Sequence, residues 1–310
     1  MTHLKRAYLG TAAAAVAITL SACSGGGGGD SSGNSTLNLG LTDSNVTGVT
    51  KVWIQFTGVE VKPMNADPID FSFSPEKGFD LLTLQNGTTA TFLNGSTIPA
   101  GQYEWVRLMV DTNPGAMYVM DSTGQHNLTI PSGAETGLKL IQGYTMPVGG
   151  VANFTVDFVL SKSLIAPPGQ SPDYMLKPVL RLVDNAQVGT IAGVFNPTPS
   201  TCGTRAPVVY VYPGANMLPV DIYVPAAGAS DVDSTGTVEP LTTATAALNS
   251  SSLYAYSVGF LPVGTYTVAF TCDADDPTVD EDTINFTTYT QPVTVSTNMT
   301  STANFPPPPP

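Results

Sequence analysis

The chain has 310 residues, with 11 Lys plus Arg against 24 Asp plus Glu and a formal net charge of -13. That balance excludes the basic footprint that neutralises phosphates, so no nucleic-acid partner is expected. Apolar residues at 42% supply a real core, whereas two His and three Cys leave little for metal or acid–base chemistry.

Lys5 and Arg6 precede an apolar or small stretch over residues 7–20 (AYLGTAAAAVAITL). A run of about 14 residues is too short to span a hydrocarbon core of roughly 30 Å as a helix, and it has the length of a signal-peptide h-region. It ends in Leu20-Ser21-Ala22-Cys23. This resembles the bacterial lipobox, in which the cysteine is acylated and becomes the first mature residue. The alternative is an ordinary signal peptide with a chance cysteine. Ser24 and Gly25–Gly29 read as a tether and favour the lipoprotein. Residues 1–22 are therefore expected to be a lipoprotein signal peptide, and residues 23–35 the acylated Cys23 with a Gly/Ser linker. Several acyl chains on one cysteine anchor far more firmly than one chain does. By analogy with enterobacterial lipoproteins, Ser24 in place of Asp favours the outer membrane, with the body on its periplasmic or cell-surface face. No other segment reaches 18 consecutive apolar residues, so the mature chain is expected to be anchored and not to span. Losing Lys5 and Arg6 leaves 9 basic residues against 24 acidic ones, about -15, a self-repelling body that does not hug anionic headgroups.

Beyond the linker the pattern is that of strands. Leu37, Leu39 and Leu41 alternate with polar or small residues. So do Val52, Ile54 and Phe56, with Trp53 and Gln55 on the opposite face, and Phe154, Val156, Phe158 and Leu160. Period 2 puts one set on the core face of a sheet. Asn86-Gly87, Asn94-Gly95, Ser122-Thr123-Gly124 and Gly149-Gly150 mark turns. Residues 134–141 would suit a short helix, but Thr136-Gly137 argues against it. The expected class is all-β: two β-sandwich domains, residues 36–186 and 187–305, followed by a proline tail, 306–310. One pattern, apolar-Pro-x-Gly-x-Tyr, stands in each half, at Ile98–Tyr103 and at Leu261–Tyr266. Its Pro and Gly make a turn, and its Tyr enters the next strand with the ring in the core.

Several separated strings follow in order: Leu41-Thr42-Asp43, Val59-Glu60-Val61-Lys62, Gly101–Leu108, Ile130–Gly133 with Gly137–Leu140, Asp157-Phe158 with Lys162-Ser163, and Leu176–Leu182. Together they resemble the bacterial domain-of-unknown-function 4382 family over residues 36–186. The resemblance implies a lipoprotein domain without assigned activity. Ser44-Asn45 departs from the Ala-Pro expected after the Asp. The second half, through Gly193-Val194 and Leu261–Tyr266, resembles transthyretin-like or carboxypeptidase-regulatory-like sandwiches.

Cys202 and Cys272 remain once Cys23 is acylated, and an even pair in an exported chain reads as a disulfide. The run Asp273, Asp275, Asp276, Asp280, Glu281 and Asp282 places six carboxylates within ten residues. Calcium takes six to eight oxygens from flexible loops, so this run is the candidate calcium site, against the alternative of a solvated acidic loop. Asp231-x-Asp233-x-Thr235-Gly236 has an EF-hand's opening rhythm, but Thr242 stands where the bidentate Glu is needed. His126, the only histidine of the mature chain, is expected to be exposed in a hairpin. Gly29-Asp30-Ser31-Ser32-Gly33 lies in the tether and is no nucleophile elbow. Ser74-Pro75-Glu76-Lys77 matches Ser-x-x-Lys only formally, in an expected loop. Arg107, Lys139, Lys162, Lys177 and Arg181, with Glu104, are expected at sheet rims, pairing with Asp157 or Glu60, the alternative being an anion-binding groove. Trp53, Trp105, Tyr103, Tyr254, Tyr256 and Tyr266 are core aromatics or sugar-stacking candidates.

The leading expectation is a non-catalytic outer-membrane lipoprotein with a binding or structural role at the cell envelope. Its partners would be the membrane, through Cys23, and an envelope or extracellular protein or glycan. A calcium- or glycan-binding surface module is the alternative. A hydrolase working through two carboxylates is a third reading.

Overall fold

The computed structural model describes residues 33–131, 137–166, 173–196, 202, 206–222, 238–273, 284 and 286–305. Cys23 and the proline tail lie outside them. The first half contains β1 (Asn34–Asp43), β2 (Val49–Pro63), β3 (Ile69–Asp80), β4 (Ala90–Pro99), β5 (Gly101–Val110), β6 (Met117–Asp121), β7 (Gly124–Thr129), β8 (Leu138–Leu140), β9 (Tyr144–Met146), β10 (Val151–Phe158), β11 (Leu164–Ile165), β12 (Tyr174–Leu176) and β13 (Leu180–Asp184). The second contains β14 (Val188–Phe195), β15 (Val208–Pro213), β16 (Thr242–Thr245), β17 (Ala247–Leu248), β18 (Tyr254–Pro262), β19 (Gly264–Thr271), β20 (Phe286–Val295) and β21 (Thr300–Thr302). A single turn of α-helix, Leu160–Ser163, follows β10. Among the described residues no helix is long and apolar enough to cross a membrane.

The strands form four sheets. In the first half, β13-β10-β1-β4 faces a nine-stranded sheet ordered β11-β12-β7-β6-β2-β5-β8, with β3 on β2 and β9 on β5. In the second half the sheets are β17-β18-β14-β21 and β16-β15-β19-β20. Among the described residues, no strand before Asp184 pairs with one after Val188. The fold is therefore all-β, built as two sandwiches.

Strand β2 shows how sequence period becomes packing. Val52, Ile54 and Phe56 are fully buried, and Trp53 and Gln55 lie on the other face. A register shift between Phe56 and Gly58 inserts one residue, after which Val59 and Val61 point inward instead. The bulge keeps a 15-residue strand facing one core while the sheet bends. Leu39 and Leu41 of β1 stand beside Phe154 and Val156 of the parallel β10. Phe56 meets Phe92 edge-on at 4.9 Å and Phe158 at 6.4 Å. Each such buried side chain contributes about 1.5–3 kcal/mol relative to exposure. In the second core Phe195 stacks on Phe270 at 4.5 Å, and Phe305 closes against both. Gly193 lets the chain after β21 pass: a Cβ there would lie 1.9 Å from the carbonyl oxygen of Ala303.

The repeated Pro-x-Gly-x-Tyr pattern folds alike in both halves. Tyr103 Oη donates to the carbonyl of Pro99 at 2.8 Å, and Tyr266 Oη to that of Pro262 at 2.7 Å. Both rings are buried, so each tyrosine pins the corner that leads into its own strand.

Candidate functional site

Three of the family-like strings meet at one end of the small first sheet. Leu41-Thr42-Asp43 ends β1, Asp157-Phe158 ends β10, and Arg181 lies on β13 opposite Asp157. Arg181 Nε donates to Asp157 Oδ2 at 3.0 Å, and its terminal Nη2 donates to the same oxygen. This pair was expected at a sheet rim. Its acid is buried instead, with Asp157 3% exposed, and Arg181 is half-buried, because β16 and β18 of the second sandwich cover that end of the sheet. Asp43 is 5% exposed. Its Oδ2 accepts a long hydrogen bond from Gln85 Nε2 at 3.4 Å, and among the described residues no donor in hydrogen-bond geometry reaches its buried Oδ1. Burial, and then the neighbouring Asp157, push the Asp43 carboxyl well above the usual range; Gln85 and the nearby amides of Leu160 and Ser44 offset only part of this. Burial also raises Asp157, against the pull of Arg181.

The Ser44-Asn45 departure lies at this junction. Asn45 N–H donates to the Thr243 carbonyl at 3.3 Å, Thr243 Oγ1 donates back to the Asn45 carbonyl at 3.2 Å, and Thr245 Oγ1 donates to Asn45 Oδ1. A proline at position 45 has no N–H for the first of these bonds. Lys162 and Glu239 add an ion pair between the halves at 3.6 Å. An apolar cluster in which Ile165 packs with Tyr210 and Tyr212 completes the contact.

Two hollows open here. A cavity of about 20 Å³ lies between Thr42, Asp43, Asn86 and Asp157 on one side and Thr242–Ala244 with Ser257–Phe260 on the other. A wider groove of about 370 Å³ adjoins it, lined by Asn86, Asn185, Thr190, Ser257, Phe260 and Asn298, among others. Among the described residues, no charged side chain lines the groove. Phe260 holds φ at 55°, a conformation that costs an aromatic residue strain and that clusters at functional positions. Strand periodicity gave no sign of the groove, because its walls come from four separated segments.

The tryptophans sit elsewhere, on the outer face of the nine-stranded sheet. Trp53 stacks on Tyr118 at 6.2 Å, with Lys51 Nζ 5.0 Å from the Trp53 ring. Trp105 carries Arg107 and Lys139 at 4.7 and 4.3 Å. Arg107 pairs with Glu60 at 2.6 Å, as its placement suggested. Cations thus occupy these rings already. Tyr103, Tyr256 and Tyr266 are core residues, and Tyr254 stacks on Phe195.

Cys202 and Cys272 are joined by a disulfide, Cα atoms 4.8 Å apart. Asp273 follows it, its N–H bonded to Thr271 Oγ1 at 3.0 Å. Asp275, Asp276, Asp280 and Asp282 lie outside the described residues, as do Cys23, Asp231 and Ser31. His126 is half-buried rather than exposed. Its Nε2 lies 3.0 Å from Asp121 Oδ1 because the short turn between β6 and β7 folds the two together. Ser74–Lys77 is strand, not loop: it lies within β3, where Lys77 Nζ donates to the Phe92 carbonyl at 2.7 Å.

A comparison with curated proteins finds no match. Among solved structures the chain is similar to a leucine-rich repeat protein from Bacteroides thetaiotaomicron (14% identity, TM-score 0.25, covering 89% of this chain and 26% of that one). It is also similar to the TIE protein of Bacillus anthracis (9%, TM-score 0.19, 88% and 34%) and to GBS52, the minor pilin of Streptococcus agalactiae (9%, TM-score 0.22, 88% and 96%). The chain thus spans about a quarter and a third of the length of the first two. Strand β13, with Arg181, lies just beyond the one family match, although it pairs with β10 inside it. That match covers β1 to β12: residues 34–178 match the model of a domain of unknown function (DUF4382).

Proposed function

We propose that the chain is a lipid-anchored outer-membrane lipoprotein that acts without catalysis, as a binding module of the cell envelope. Its ligand is a neutral glycan held in the groove at the junction of the two sandwiches. The groove carries this reading: its roughly 370 Å³ falls within the range of small-molecule sites, and such sites favour domain interfaces. The asparagine amides and the Thr190 and Ser257 hydroxyls suit sugar hydroxyls, and the absence of charge along the groove suits an uncharged ligand. The outer-face tryptophans are the weaker platform, since cations cover them. Cys23 in its lipobox-like context supports the anchor, and the Cys202–Cys272 bridge fits folding in an oxidising compartment. The second sandwich, transthyretin-like or carboxypeptidase-regulatory-like by its sequence, supplies most of the groove.

Three experiments test this. Palmitate labelling of whole cells should mark the chain and be lost in Cys23→Ala; labelling that persists overturns the anchor. Protease added to intact cells, read with an antibody to residues 190–300 and a protected periplasmic control, then assigns the face. Calorimetric titration with neutral oligosaccharides should show binding that Thr190→Leu abolishes, and no binding at millimolar sugar overturns the groove as a glycan site.

A further inference from the structure

We propose that the small cavity between Asp43 and Asp157 is a binding site for one dehydrated monovalent cation of sodium size, held jointly by the two sandwiches. Asp43 lines the cavity and is 5% exposed, and its Oδ1 has no hydrogen-bond partner among the described residues. A buried oxygen of this kind is expensive to leave unmatched. Asp157 already pairs with Arg181, so an ionised Asp43 brings one further negative charge, which its burial and the neighbouring Asp157 oppose. One monovalent cation balances it, whereas a divalent ion would leave a buried positive excess.

Size and ligand chemistry agree. About 20 Å³ holds one water-sized body, so the ion arrives without its hydration shell and protein oxygens replace it. Magnesium, which dehydrates reluctantly, is a poor fit. The oxygens are hard and come from both halves: Asp43, Asp157 and Asn86 from the first, Thr242 and Ser257 from the second. An ion there ties β1 and β10 to β16 and β18.

The test is thermal unfolding of the full chain in non-ionic detergent, at fixed pH and ionic strength, with sodium chloride exchanged for choline chloride. The melting temperature should rise by about 2–4 °C in sodium, and Asp43→Asn should erase the difference. Sodium NMR line broadening on the wild-type chain, saturating at one ion per chain, provides a readout that does not depend on the variant folding. Equal melting temperatures in the two salts with no saturable broadening would overturn the site. Stabilisation by calcium but not by sodium would overturn the charge count and the proposal with it.

Discussion

Asp121 holds the β6–β7 hairpin with a single carboxylate. Its Oδ1 accepts from the Thr123 amide and hydroxyl, each at 2.7 Å, and its Oδ2 from Tyr174 Oη at 2.9 Å. These bonds, the Thr123 hydroxyl first, hold its pKa far below the usual carboxylate range. A depressed folded pKa means that the contribution is fully present above the unfolded value of about 3.9 and is lost as pH falls through the folded pKa. Asp121→Asn should therefore melt below wild type at pH 6, and the gap should narrow as pH drops under about 4. A gap that stays constant across that range would show that the charge is not what holds the hairpin. Because Tyr174 reaches Asp121 from β12, the same variant should speed amide exchange in β7 and β12.

At the scale of elements, the two tyrosine corners are the most direct translation of sequence into structure. Pro turns the chain, Gly opens it, and Tyr returns a hydroxyl to the carbonyl four residues earlier. Tyr103→Phe or Tyr266→Phe keeps the ring and leaves that carbonyl short of a donor, so each should cost about 1 kcal/mol. Because the two sites lie in separate sandwiches, the double variant should show the sum of the single effects within about 0.5 kcal/mol in denaturant titrations. The loop that Cys202 and Cys272 close is of the same scale. Its sequence separation is 70 residues, worth roughly 4 kcal/mol in the chain-entropy model. Cys202→Ser with Cys272→Ser should lower the urea midpoint accordingly.

At the scale of the whole molecule, the question is whether the sandwiches unfold together. Both tryptophans, Trp53 and Trp105, belong to the first sandwich, while the disulfide belongs to the second. Tryptophan fluorescence therefore reports the half that the bridge does not touch. If the junction couples the halves, removing the bridge should shift the fluorescence transition along with that seen by circular dichroism. Asn45→Ala, which removes the acceptor of the Thr245 bond, should cost about 1–2 kcal/mol and pull the two transitions apart.

Much of this fold was legible in the chain. Leu37–Leu41, Val52–Phe56 and Phe154–Phe158 announce their strands because a pleated sheet with one buried face imposes period 2 on the residues themselves. The cysteine pair and the Tyr corners follow for the same reason, as each rests on a local or pairwise rule. The parity switch in β2 shows in the chain as a break in the alternation, from Val52, Ile54 and Phe56 to Val59 and Val61 across Thr57-Gly58, but that the break is a bulge within one strand is decided by the partner strands. Arg181 and Asp157 could be matched by charge, but not placed, since a rim becomes a junction only when the second sandwich closes over it. The unpartnered Asp43 oxygen and the groove beside it belong wholly to tertiary structure. They arise from β1, β10, β16, β18 and the Asn86 turn, segments that are far apart along the chain and meet only through burial.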